Sequence, residues 1–213
     1  MIKKTRLRLC TVFTCLVVGA VIGQAKDQSL PDVIESVESS ILKVETNIAL
    51  GSGFIIKDGL VVTNRHVIEG AKEATVQFKD GRKHKVVGIV FDGGKLDICI
   101  LKCEGLTKDN SKALQLVSAP LRQGESVFTF GAPQGLEFSV SEGIVSANRL
   151  IDDIAFVQIT APISSGNSGG PLLRVKDGSL VGINTWTRVD GQNLNFAIAA
   201  SELSKAIDKI ASE

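Results

Sequence analysis

The chain has 213 residues, a length that suits one domain or two small ones. Hydrophobic residues make up 44% and charged residues 22%, and the formal net charge is +1. These values exclude a largely disordered chain, and they argue against a nucleic-acid-binding protein, which would carry a strongly basic face. Twenty-one glycines, against one methionine and no tyrosine, indicate many turns and short strands.

Residues 1–25 have the features of a secretory signal peptide. Four basic residues precede an apolar run over 9–22, and the small residues Gly23 and Ala25 flank Gln24. The run is shorter than the roughly 20 residues that a membrane span needs. We therefore expect cleavage, export to the periplasm or the extracellular space, and no stable membrane insertion afterwards; an uncleaved anchor is the alternative. Cleavage removes four of the 24 basic residues and none of the 23 acidic ones, which leaves a formal charge of −3.

The mature chain is predicted to begin with a helical segment over 26–40. Ser29 and Asp32 have the spacing of a capping box, and apolar residues then recur at helical spacing. Short β-type runs follow, separated by Asp-Gly turns at 58–59, 80–81, 177–178 and 190–191. They predict strands at about 41–46, 54–57, 60–63, 75–78, 86–91, 98–101, 127–130, 139–147, 156–159, 180–185 and 195–199. Ser201 is predicted to cap a final helix over 201–213.

A less structured segment over 118–125 divides the mature chain near its middle. It separates a first predicted β domain, 41–118, from a second, 119–200. A cleft between two such domains is where a ligand site is expected.

Cys99 and Cys103 are predicted to share one buried strand. Four steps of about 3.3 Å place their Cα atoms roughly 13 Å apart, too far for a disulfide. Two cysteines at this spacing, in a chain with two histidines, are also a weak metal site. We therefore expect buried free thiols, no metal and no cofactor.

The segment Gly166–Pro171 is the strongest candidate for a functional loop. Its glycines permit positive φ and close approach to a ligand, so consecutive N–H groups can point at a developing oxyanion. Ser168, in its middle, is a nucleophile if a base lies beside it. The alternative is an ordinary turn, which the same residue types favour.

Of the two histidines, His66 is the better candidate base, because His84 lies among basic residues. His66 ends an apolar strand, and Asp97 opens another, an unusual place for an unpaired carboxylate. A structural histidine and an N-capping or turn-forming aspartate are the alternatives. The order His, Asp, Ser is that of the chymotrypsin-type triad.

The chain resembles trypsin-like serine proteases of the HtrA/Deg family from about residue 30 to 200. The resemblance is carried by 30–33, 51–56, 63–68, 96–98, 131–136, 143–147, 166–172, 182–185 and 195–198. It implies an all-β, chymotrypsin-like fold of two six-stranded antiparallel β-barrels, with short N- and C-terminal helices. Many relatives carry a PDZ domain after the protease, and this chain departs from them in length, so we expect a protease domain alone. A PDZ-driven cage is therefore not implied, although a homo-oligomer is compatible with the sequence.

The resemblance also implies residue roles. His66 would be the general base, Asp97 its orienting acid and Ser168 the nucleophile. The amides of Gly166 and Ser168, with Asn167 between them, would form the oxyanion hole. An extended polypeptide substrate would lie beside Ile183, Asn184, Thr185 and Trp186. Trypsin-like relatives that cut after Lys or Arg carry an acid at the base of the S1 pocket where Pro162 stands here, followed by Ile163. We therefore expect an apolar pocket that favours cleavage after aliphatic residues, with Asp190 as the acid that could oppose this preference.

Three positions depart from the family pattern. Relatives carry Asp where Thr160 stands, and Asn where Arg65 and Ala132 stand. None is a triad position, so the predicted function is an exported serine endopeptidase. A catalytically silent module that captures extended peptides in the same cleft is the alternative.

Overall fold

The structure is a computed structural model that describes residues 28–132, 138–187 and 193–212. Within these ranges the helices are α1 (Leu30–Glu38), α2 (Arg65–Ile68) and α3 (Ala200–Ser212). The strands of the first half are β1 (Ile41–Thr46), β2 (Leu50–Ile55), β3 (Val61–Asn64), β4 (Ala74–Phe78), β5 (Lys83–Asp92) and β6 (Ile98–Cys103). Those of the second half are β7 (Ser126–Gly131), β8 (Ser139–Ile151), β9 (Ile154–Ile159), β10 (Pro171–Arg174), β11 (Leu180–Thr187) and β12 (Asn195–Ala199).

The strands close into two antiparallel barrels of six strands each. The first barrel has the order β1-β2-β3-β6-β5-β4, and the second has the order β10-β11-β12-β9-β8-β7. Closure leaves no open sheet edge running the length of either barrel, which removes most of the template for aggregation. The all-β fold of two six-stranded barrels predicted from the sequence is confirmed.

The two barrels share a hydrophobic core besides having one each. Leu42, Val76 and Leu101 belong to the core of the first barrel, and Val127 and Val145 to that of the second. A third cluster contains buried residues from both barrels, among them Ile41, Phe54, Ile100, Phe128, Phe130, Leu173 and Ile198. The barrels are therefore packed against each other through apolar side chains.

Helices α1 and α3 cover the shared core. The Asp32 carboxylate accepts hydrogen bonds from the Ser29 hydroxyl and N–H, at 2.6 and 3.2 Å, so the predicted capping box is formed. Helix α1 buries Val33 and Val37 against the shared core. Helix α3 begins at Ala200, which places Ser201 inside its first turn rather than at its cap. No helix of the described ranges is long and apolar enough to cross a membrane.

The structure differs from the predicted elements at several places. Strand β2 spans Leu50–Ile55 rather than 54–57, because glycines at 51 and 53 hide its first half. Strand β10 was not predicted, because it has four residues, begins with proline and follows glycines. Strand β8 continues to Ile151, four residues beyond the prediction, and turns at Asp152 and Asp153, both with positive φ. His66 lies on the single turn α2 rather than at the end of a strand. The predicted turn at 190–191 lies outside the described residues.

Candidate active site

His66 lies just after the end of strand β3, in the first barrel. The strand ends at Asn64, which pairs with Ile98 of β6, and α2 starts at the next residue. The Asn64 side-chain N–H donates to the Asp97 carbonyl at 2.8 Å, and the Arg65 N–H donates to the same oxygen at 3.2 Å. The start of α2 is thereby fixed to the residue that opens β6.

Asp97 forms two hydrogen bonds with His66. Its backbone is left-handed, with φ of 56°, a conformation that aspartate tolerates better than most residues. One carboxylate oxygen accepts the His66 backbone N–H at 3.0 Å, and the other lies 2.8 Å from Nδ1 of the ring. Because a carboxylate only accepts, Nδ1 carries the proton and Nε2 is the free proton acceptor of the neutral ring.

The pair shifts the pKa of both groups. The hydrogen bond to Asp97, with its charge, raises the pKa of His66 above the ordinary value, against the opposing effect of partial burial. Burial acts to raise the pKa of Asp97, but hydrogen bonds from His66 and Thr185 outweigh it and hold the pKa below its ordinary value. Asp97 is therefore ionised at neutral pH, where it stabilises a protonated His66.

Thr185 connects Asp97 to Ser168. Its hydroxyl donates to the Asp97 carboxylate at 2.9 Å, and its carbonyl accepts the Ser168 hydroxyl at 3.3 Å. Within the described part of the chain no hydrogen bond joins Ser168 to His66, so the serine hydroxyl points to Thr185. The sequence placed Thr185 in the substrate-binding segment; only the pairing across the two barrels reveals its contact with the acid.

Two amides of the Gly166–Pro171 loop have no hydrogen-bond partner among the described residues. The N–H of Asn167 donates to the Ser164 carbonyl, that of Gly169 to Asn184 and that of Gly170 to Asn167, each at 2.9–3.0 Å. By contrast, the N–H groups of Gly166 and Ser168 make no hydrogen bond to any described residue. Gly166 has φ of +98°, which only glycine adopts without strain. These are two donors of the kind that an oxyanion requires.

The predicted substrate-binding residues have different environments. The side chains of Ile183 and Asn184 are fully buried, and Asn184 uses its backbone N–H and carbonyl on Gly170 and Gly169. Among the described residues, no backbone group on the β10 side pairs with β11 beyond Asn184, and the Thr185 carbonyl accepts only the Ser168 hydroxyl. Trp186 stacks on Phe196, with ring centroids 4.0 Å apart, on the second barrel.

Ile163 is half-buried against the core of the second barrel, and its carbonyl accepts the Thr187 hydroxyl at 3.3 Å. Asp190, predicted as the acid that could oppose an apolar pocket, lies outside the described residues. The described ranges contain no group of three or more His, Cys, Asp or Glu side chains placed to hold a metal ion.

The three departures from the family pattern have local roles. Arg65 pairs with Asp92 at 2.8 Å and with Glu69 at 2.5 Å, which ties α2 to the end of β5. The Thr160 hydroxyl accepts the Ile144 N–H at 2.9 Å. Ala132 donates its N–H to the Ser52 hydroxyl at 2.8 Å. Among the described residues, none of the three forms a hydrogen bond with the His66 ring or the Ser168 hydroxyl.

The sequence profile of the trypsin-like peptidase domain matches residues 51–183. The chain belongs to the trypsin-like peptidase family. This trypsin-like peptidase is 41% identical over 171 residues to a probable periplasmic serine endoprotease, DegP-like, of Halomonas elongata; the alignment covers 76% of this chain and 35% of the relative. It is also 41% identical over 160 residues to the putative serine protease HhoB of Synechocystis. That alignment covers 70% of this chain and 37% of the relative. The resemblance to the HtrA/Deg family is confirmed, and the chain spans little more than a third of the length of these relatives.

Two solved structures resemble this chain. The serine endoprotease from Yersinia pestis is 28% identical and has a TM-score of 0.78, with 87% of this chain and 68% of that chain covered. An inactive form of a Mycobacterium tuberculosis protein is 24% identical and has a TM-score of 0.74, with coverages of 84% and 90%. The second likeness supports the fold alone.

Proposed function

We propose that this trypsin-like peptidase is an exported serine endopeptidase that cleaves extended or unfolded polypeptides, with Ser168 as nucleophile, His66 as general base and Asp97 as orienting acid. The observation that carries the proposal is the connected series of contacts from His66 through Asp97 and Thr185 to Ser168. The relatives named serine endoproteases support the same chemistry.

The reaction follows from the proton positions. When a substrate is bound, the Ser168 hydroxyl turns from the Thr185 carbonyl toward His66 Nε2, which takes its proton as Oγ attacks the peptide carbonyl carbon. The protonated His66 then gives the proton to the leaving nitrogen, the C–N bond breaks and an acyl-enzyme remains. Water attacks the ester by the same route in reverse, which releases the new carboxylate and restores the Ser168 hydroxyl. Asp97 stabilises the charged imidazole throughout.

The negative charge that develops on the substrate carbonyl oxygen needs donors. The unpartnered N–H groups of Gly166 and Ser168 supply two, and each is part of a loop whose other amides are already bonded. Removing one such donor from an enzyme of this kind costs about 10²–10³ in kcat. These two amides are therefore the proposed oxyanion hole.

The substrate is proposed to be an extended polypeptide because of the shape of β11. Among the described residues no β10-side backbone partner follows Asn184, so a peptide can pair with Thr185, Trp186 and Thr187 as an added strand once the Ser168 hydroxyl has left the Thr185 carbonyl. Folded proteins rarely offer such a strand, which favours unfolded or flexible segments as substrates.

A silent peptide-binding module is the second candidate function, because the same edge could capture a peptide without cleaving it. The two candidates differ at Ser168. A fluorophosphonate probe labels the serine of an active triad, and a silent module leaves it unlabelled. Export is tested separately: we expect the exported chain to begin at Lys26, measured by N-terminal sequencing.

The proposal predicts that Ser168→Ala lowers kcat for casein hydrolysis by about 10⁶ and abolishes fluorophosphonate labelling. His66→Ala should cost about as much, because triad members act as a unit. His84→Ala is the matched control: His84 contacts the Glu104 carbonyl and Phe78 on the first barrel, so activity should be unchanged. Casein hydrolysis by Ser168→Ala at the parent rate would refute the assignment.

A further inference from the structure

Ser52 connects the first barrel to the loop that carries Ser168. It lies in β2, is fully buried and makes four hydrogen bonds. Its N–H donates to the Ser168 carbonyl at 2.9 Å, and its carbonyl accepts the Thr63 hydroxyl at 2.7 Å. Its hydroxyl lies 2.6 Å from the Gly166 carbonyl and 2.8 Å from the Ala132 N–H. One residue of the first barrel therefore holds the residues on both sides of Asn167.

The direction of the hydroxyl hydrogen bonds is fixed by its partners. The Gly166 carbonyl can only accept, so it takes the single proton of the Ser52 hydroxyl. The Ala132 N–H can only donate, so it bonds a lone pair of the same oxygen. The hydroxyl therefore both donates and accepts one hydrogen bond.

Gly166 is the residue of the loop that most needs an external constraint. It has positive φ and no side chain, so its two flanking peptide groups can rotate more freely than those of other residues. Its N–H is unpartnered within the described chain, and its carbonyl is held by Ser52. The carbonyl belongs to the peptide group that follows the Gly166 Cα and the N–H to the one that precedes it, so holding the carbonyl limits the rotation about Gly166 through which the N–H is oriented.

We propose that Ser52 is a positioning residue for the oxyanion hole. Its hydroxyl holds the Gly166 carbonyl and its N–H holds the Ser168 carbonyl, so that the N–H groups of Gly166 and Ser168 keep their direction. The inference rests on the proposed function. Hydrogen bonds to an oxyanion are strongest in the transition state, so this positioning acts on kcat rather than on substrate binding.

The surroundings of the Ser52 hydroxyl are tightly packed. A Cβ added at Gly131 would lie 2.7 Å from the Ser52 Oγ, and one added at Gly170 would lie 3.1 Å from the Ser52 Cβ. Ser52→Ala removes one oxygen atom from this fully buried position, so the Gly166 carbonyl loses its donor. The Gly166 carbonyl would then be buried without a partner, a state that rotation of the peptide group relieves.

The experiment compares Ser52→Ala with Ser40→Ala in the mature chain. Ser40 is also a buried serine, but its hydroxyl has no hydrogen-bond partner among the described residues, which makes it a matched control. For Ser52→Ala we expect kcat to fall about 10- to 100-fold with KM within about twofold of the parent. Affinity for a peptide aldehyde, which binds Ser168 as an oxyanion-bearing hemiacetal, should fall by the same factor. Ser40→Ala should change neither.

The outcomes distinguish the role of Ser52 from the proposed peptidase function. Parent kcat in Ser52→Ala, or a rise in KM with kcat unchanged, overturns the role of Ser52 while leaving the triad intact. Parent activity in Ser168→Ala overturns the proposed function itself. If Ser52→Ala does not fold, Ser52→Cys replaces it, because a thiol keeps the shape but is a weak donor. A reduced kcat with unchanged KM then supports the role of Ser52, and parent kcat overturns it.

Discussion

Asp97 is held at both its carbonyl and its carboxylate, and this double attachment gives His66 a single orientation. The carbonyl bonds to Asn64 and Arg65, which start the helical turn on which His66 lies. The carboxylate bonds to His66 and Thr185. Position and protonation of the base thus depend on one aspartate, and the Asp97 charge has a measurable signature in the pH dependence.

We predict that kcat/KM falls at acidic pH with a midpoint above 6.5, the ordinary pKa of histidine. Only the neutral ring acts as base, and Asp97 raises the pKa, so activity is lost as pH falls through the raised value. Asp97→Asn removes the negative charge that raises the pKa of His66, while the partial burial of His66, which lowers that pKa, remains. The His66 midpoint should therefore move to lower pH, while kcat at neutral pH falls about 10⁴-fold. NMR titration of the His66 ring measures the first effect.

Glu69→Gln is the control for the pH profile, because Glu69 acts on His66 by charge alone and is the last of the groups that raise its pKa. It should shift the midpoint downward by less than Asp97→Asn does. The contribution of His66 to folding stability depends on pH in the opposite direction to activity. A raised pKa stabilises the folded state below about pH 6.5, and this contribution is lost as pH rises through the pKa of folded His66. An acidic limb centred below 6.5 in the parent enzyme would contradict the prediction.

Strands were predictable wherever β-branched residues lie between glycine-containing turns. Strand β6 is an example, since its six residues include isoleucine, leucine and cysteine and follow a 3₁₀ turn at Gly94–Leu96. Helical turn α2 was not predictable, because four residues show no periodicity. Strand β10 was missed for a related reason: its pairing with β7 and β11 comes from tertiary contacts and not from local propensity.

Strand β6 also carries the two free thiols predicted from the sequence, and the structure confirms that Cys99 and Cys103 are free and buried. Burial raises the pKa of Cys99 to about 12 and that of Cys103 to about 11, so neither forms thiolate at pH 8. We predict that the native mature chain resists iodoacetamide. Unfolding without reductant should expose two alkylatable thiols, counted by mass spectrometry, and Cys103→Ser should expose one. No alkylation of the parent, with a mass lower by two hydrogens, would show a disulfide instead.

The active site depends on contacts between the barrels that no local pattern reveals. The triad candidates were predictable because each stands at an unusual place in the sequence: a serine among glycines, a histidine after an apolar run and an aspartate before one. Ser52 and Thr185 have no such signature. Their hydroxyls become informative only when β2 and β11 lie beside the Ser168 loop, since Ser52 and Gly166 are 114 residues apart in the chain.

The shared hydrophobic core has a consequence for unfolding. Phe54 of the first barrel and Phe128 and Phe130 of the second belong to one buried cluster, so neither barrel can unfold without exposing part of the other's core. We therefore predict one cooperative transition in urea. The chain offers a separate probe for each barrel: fluorescence of its one tryptophan, Trp186, reports the second, and alkylation of Cys99 and Cys103 reports the first.

The decisive variant is Val145→Ala, which removes two methyl groups from the core of the second barrel alone. Val145 is fully buried, so the change should destabilise the protein by about 2 kcal/mol. With a urea dependence of about 2 kcal/mol/M, the fluorescence midpoint should fall by about 1 M. If unfolding is cooperative, the thiol midpoint falls by the same amount, although both cysteines lie in the other barrel. A thiol midpoint that stays at the parent value would show that the barrels unfold independently and that the shared core does not couple them.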